Sequence, residues 1–146
     1  MVVKRFLAIV AAALSVLPAS AAYAPVPFRV AMSGCPGAIT EGTLEWMDER
    51  TVKVEGYVGE HTPFPSCVPD SNGFHTITFR GYSGDAVVAL KGVARPYGTA
   101  GIAFELAASQ AIDRTTVHVC YFMLRPISML VCMAPSEYRP AGFSTR

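Results

Sequence analysis

The segment Thr43-Leu44-Glu45-Trp46-Met47, Asp48-Glu49-Arg50, Thr51-Val52-Lys53-Val54-Glu55 constrains the fold more than any other part of the chain. Its side chains alternate apolar and polar on either side of a short polar break, the pattern of a half-buried β-hairpin. With the turn centred on Glu49, Trp46 faces Val52 and Leu44 faces Val54 on one side, while Glu45 faces Lys53 on the other. A slip of one residue would put both sets on the wrong faces, so hydrophobic contact and charge pairing select a single register.

The same two-residue period recurs along the chain. It predicts further strands over Phe28–Ser33, His75–Tyr82, Ala86–Ala94, Ile102–Ala107, Thr116–Leu124 and Ser128–Met133. Turn chemistry at Ser83-Gly84-Asp85 and Arg95-Pro96-Tyr97-Gly98 separates some of them. Residues 107–113 are the only place where a helical turn is expected. About eight short strands with Gly/Pro punctuation indicate an all-β domain: a small, disulfide-containing, Greek-key-like β-sandwich, with a barrel as the alternative. The immunoglobulin pattern is met only in part. Cys35 precedes Trp46 by a suitable interval, but Cys67 follows too soon, and His118 stands two residues before Cys120 where that fold carries a tyrosine.

Ahead of these strands, Lys4 and Arg5 precede an apolar run from Phe6 to Leu17, then Pro18 and the small residues Ala19-Ser20-Ala21. This is the three-part plan of a cleavable secretory signal peptide over residues 1–21, leaving 22–146 as one extracellular domain. The apolar run falls short of the ~20 residues a spanning helix needs, so the mature chain is expected to have no membrane span. Without Lys4 and Arg5 the formal charge of +1 becomes −1, and the remaining basic residues are scattered singly. A nucleic-acid partner is therefore not expected.

The four cysteines form an even set in a chain read as exported, and none lies in a C-x-x-C pair. Disulfides are expected rather than a zinc knuckle or a redox motif. A turn centred on Pro126 places Cys120 opposite Cys132 on adjacent antiparallel strands, within bridging distance. Cys35 then pairs with Cys67. That second bridge would anchor Gly59 to Gly73, a proline-rich stretch without strand periodicity. The stretch reads either as a rigid crossover or as a recognition loop held in shape before binding, with His61, Phe64 and Asp70 as candidate contacts.

The hairpin from Val117 to Met133 is apolar on both faces, with Val119, Tyr121 and Met123 on one and Phe122 and Leu124 on the other. Either both faces are covered, or one is an interaction surface in which Tyr121 and Met123 make the contact and through which the chain oligomerises.

Reactive groups are sparse. The three histidines lack ligand spacing, so no metal and no cofactor are expected. Gly81-Tyr82-Ser83-Gly84-Asp85 lacks the second glycine of a nucleophile elbow and reads as a turn. No catalytic residue is assigned. A cluster of His61, Asp70 and Ser66 or Ser71 would be the nearest approach to a hydrolase site. Arg125 before Pro126, or Phe64 to Val68, would be the bait of a protease inhibitor. The expectation is a secreted, non-enzymatic binding module whose partner is an extracellular or cell-surface protein; a protease inhibitor and a small secreted hydrolase are the alternatives.

Overall fold

Nine strands account for most of the chain in a computed structural model, which describes residues 23–32, 34, 37–61, 73–96, 98–123 and 128–142. The expected signal peptide over residues 1–21 and the expected Cys35–Cys67 pairing lie outside the described residues. The strands are β1 (Val26–Ala31), β2 (Gly37–Trp46), β3 (Thr51–His61), β4 (Phe74–Ser83), β5 (Ala86–Pro96), β6 (Ala100–Ala107), β7 (Arg114–Met123), β8 (Met129–Cys132) and β9 (Ser136–Tyr138). They form two antiparallel sheets, one in the order β1-β2-β3-β6 and one in the order β5-β4-β7-β8, with β9 also on β7. The architecture is a small β-sandwich and not a closed barrel. Its topology is Greek-key-like: β3 pairs with β6 although the β4–β5 hairpin between them belongs to the other sheet.

The register that the alternation selects is the register observed: Trp46 opposes Val52, Leu44 opposes Val54 and Glu45 opposes Lys53. Trp46, Leu44, Val52 and Val54 are all buried. From the first sheet, Phe28, Val58, Ile102 and Leu106 join them, and the second sheet contributes Ile77, Phe79, Val117, Val119 and Tyr121. Three rings interlock between the sheets: Phe79 meets Phe28 edge-on at 5.7 Å and Phe104 at 5.1 Å.

The β2–β3 hairpin is longer than its alternation suggests, running from Gly37 opposite His61 to Trp46 opposite Val52. Gly42 and Gly56, which interrupt the apolar period, face each other in mid-hairpin. A Cβ on Gly42 would lie 2.0 Å from the Glu55 carbonyl oxygen, and one on Gly56 would lie 2.2 Å from that of Glu41. The strands approach too closely there for any side chain, so these glycines continue the hairpin rather than end it.

Residues 108–113 form no helix, contrary to the expectation for 107–113. Their backbone groups are taken by tertiary partners: the amides of Ala108 and Ile112 bond the carbonyls of Arg50 and Glu49, and that of Asp113 bonds Tyr82. The Ile112 carbonyl accepts the Trp46 indole N–H at 2.9 Å in the core. A helical turn over 107–113 would direct the Ile112 and Asp113 amides back to the carbonyls of residues 108 and 109, away from the Glu49 and Tyr82 carbonyls they pair with.

Candidate functional site

The Cys120–Cys132 bridge is formed and joins directly opposed residues of β7 and β8, as the turn position predicts. Side chains of β7 at odd positions point inward, so Val117, Val119 and Tyr121 are buried, and Met123 packs partly buried against the core. Of the two readings of this hairpin, a surface contact through Tyr121 is at odds with its burial, while Met123 is only partly buried. Tyr121 is only 1% exposed, and its ring stacks near His75 at 5.3 Å. Its hydroxyl fills the space that a Cβ on Gly73 would need. β7 is a central strand whose Tyr and Val residues serve the core.

The exposed apolar surface lies on the neighbouring strand. Every residue of β8 is exposed, with Met129 at 44%, Leu130 at 57% and Val131 at 38%. Leu130 opposes Phe122, which packs on Phe74 with ring centroids 4.9 Å apart. A continuous row therefore crosses the outer face of the second sheet: Pro96, Phe74, Phe122 and Leu130. The next row is Ala94, Thr76 and the Cys120–Cys132 bridge.

The other sheet edges carry features that discourage pairing. Pro27 interrupts the donors of β1, and the Tyr138 hydroxyl occupies the edge at Arg29, accepting from its N–H at 3.3 Å and donating to its carbonyl at 3.4 Å. β6 exposes Glu105; β5 carries Lys91 and Arg95 and ends at Pro96. Only β8 among these edges has neither charge nor proline.

The outer face of the first sheet is polar. Arg29, Glu41 and Tyr57 form one row across three strands, with Arg29 Nε 3.2 Å from Glu41 Oε2. A hydrogen bond from its hydroxyl to the Glu41 carboxylate raises the Tyr57 pKa above its ordinary value. These residues border a shallow depression that also includes Pro27, Gly42 and Gly56. A second hollow, of about 320 Å³, lies at the end of the sandwich between Tyr23, Trp46, Glu49, Ile112, Asp113 and Pro140.

Of the loop candidates, His61 is the last residue of β3, opposite Gly37, so Gly59 to His61 belong to a strand and not to the expected loop. Phe64, Asp70, Ser66 and Ser71 lie outside the described residues, as do both bait segments. The histidines do not converge. His61 ends β3 in the first sheet, His75 is buried between the sheets, and His118 lies on the outer face of the second sheet beside Cys120. Among the described residues no histidine is hydrogen-bonded to a serine or a carboxylate.

The His118–Cys120–Cys132 grouping was not anticipated from sequence. His118 and Cys120 stand two apart on one strand and so share a face, a legible signal once the disulfide register is known. Among the described residues no helix is long and apolar enough to cross a membrane. No protein-family model matches the chain, and neither curated proteins nor solved structures yield a significant match.

Proposed function

We propose that this chain is a secreted, non-enzymatic binding module that captures an extended segment of an extracellular or cell-surface protein along β8. The observation that carries this reading is the exposure of Met129, Leu130 and Val131 on a sheet edge without charge or proline. An open edge offers backbone donors and acceptors to an incoming strand, and adaptable apolar side chains supply the contact area. Four residues make a short ladder, so side-chain contact has to provide much of the affinity.

The test uses purified wild-type protein and the single variants Leu130→Glu and Met129→Glu. Capture from the host's own secretome and cell surface is read beside sedimentation at rising concentration. A saturable partner that both variants lose, with thermal stability unchanged, supports the proposal. Loss of binding on changing Phe64 or His61, with Leu130→Glu retaining it, would move the contact to the 59–73 segment. Self-association abolished by Leu130→Glu would make a second copy the occupant of the edge.

A further inference from the structure

The disulfide on the outer face of the second sheet has a third potential ligand beside it. His118 Nε2 lies 3.8 Å from Cys120 Sγ, and one ligand atom from each of His118, Cys120 and Cys132 falls within 4.8 Å of the other two. Cys120 is nearly buried at 7% exposure, whereas Cys132 is exposed. We propose that these three residues are a redox-gated zinc site, closed while the disulfide is intact and opened by an external dithiol.

The exposure difference sets the course of the opening step. A thiolate of the dithiol attacks Cys132 Sγ, the accessible sulfur, and forms a mixed disulfide. The electron pair of the broken bond leaves on Cys120 Sγ as a thiolate, beside the His118 imidazole, where an N–H donor favours the anion. The second thiol of the reagent then displaces Cys132 and closes to a cyclic disulfide. The protein bridge has gained two electrons and the dithiol has lost two. The two thiol protons pass to the protein sulfurs or to solvent, and metal binding displaces any that the sulfurs hold.

The product suits a borderline-soft cation. Two thiolates and an imidazole are zinc ligands, and no carboxylate belongs to the set, which disfavours calcium and magnesium. With Zn–S near 2.3 Å and Zn–N near 2.0–2.1 Å, tetrahedral ligands stand roughly 3.5–3.8 Å apart. The His118 to Cys120 separation is already close to one such edge, and the two bonded sulfurs have to part. Their backbone positions are held opposite one another by the β7–β8 pairing. With three protein ligands, the fourth position is left to water or an external ligand.

Cobalt(II) is the probe, since thiolate ligation gives it a charge-transfer band and intense visible absorption. Wild-type protein is titrated with Co²⁺ before and after reduction by a phosphine, followed by Zn²⁺. The expected result is one Co²⁺ per chain in the reduced form only, displaced by Zn²⁺. Removing a direct ligand in His118→Ala should weaken binding by about tenfold or more, with the thiol count and circular dichroism unchanged. The Cys120→Ser/Cys132→Ser variant should lose the absorption. Equal binding by wild type, His118→Ala and the double-serine variant would place the metal on Cys35 and Cys67 and overturn the proposal. So would a reduced protein that shows no thiolate–cobalt band, or one that loses its tertiary signal and does not recover it with Zn²⁺.

Discussion

Replacing His75 by Phe should stabilise the protein, and by more as the pH falls. His75 is fully buried on the inner face of β4, in line with Ile77 and Phe79, and neither ring nitrogen has a hydrogen-bond partner. Leaving a buried polar group unpaired costs about 1–3 kcal/mol, and a phenyl ring beside Tyr121 keeps the aromatic contact without that penalty. Burial lowers the His75 pKa below its ordinary value, and the Glu60 carboxylate opposes that shift without cancelling it. Its cross-strand neighbours are Tyr121 on β7 and Arg95 on β5.

The sign follows from proton counts. Below the unfolded-state pKa of ~6.5 the unfolded chain binds a proton at this site that the folded chain resists, so stability is full above that value and declines as the pH drops. Urea unfolding of wild type and His75→Phe at pH 7.5 and 5.5 measures both effects. The variant should lead at pH 7.5, and the gap should widen at pH 5.5. A variant less stable at both values, or a gap independent of pH, would refute the reasoning.

Two substitutions test the hairpin and its anchor. Trp46→Phe keeps most of the apolar volume but strands the Ile112 carbonyl, so it should cost about 1–3 kcal/mol, against about 3–5 for Trp46→Ala and well under 1 for Glu45→Ala, read by chemical denaturation. Gly42→Ala and Gly56→Ala each drive a methyl group into the opposite strand's backbone and should destabilise by more than about 2 kcal/mol; amide exchange should show the β2–β3 ladder opening in either variant.

What was legible in the sequence was whatever the two-residue period controls. The Leu44–Val54 register, the facing of Trp46 and the Cys120–Cys132 pair follow from alternation around a turn, because shifting such a strand by one residue exposes its apolar set. The period failed where glycine replaces an apolar side chain. Gly42 and Gly56 flank the alternating segment and Gly59 opens the expected loop, yet all three sit in paired strands where close backbone approach or the Thr99 side chain takes the missing volume. β9 escaped notice because three residues, Ser136–Tyr138, are too few to establish a period. The facing of Tyr121 also needed the fold. Both sides of β7 are apolar, and only the position of the other sheet decides which is inside. The exposed surface therefore fell to β8, and the His118 grouping emerged only once the outer face was known.

The placement of the covalent bond connects the two proposals. Fixing a residue's backbone costs roughly 1–2 kcal/mol, and β8 offsets only part of this by burying side chains, since Met129, Leu130 and Val131 remain 44%, 57% and 38% exposed. Its ladder to β7 gains only modest net energy per hydrogen bond. The Cys120–Cys132 bridge, with a sequence separation of 12, contributes about 3 kcal/mol by restricting the unfolded chain, comparable to the deficit it has to meet. The bridge thus adds to the four-residue ladder in holding β8 as a docking edge. Opening the bridge would then have two effects at one place: it would free the ligands of the proposed metal site and leave the β7–β8 ladder alone to present Met129, Leu130 and Val131 to a partner.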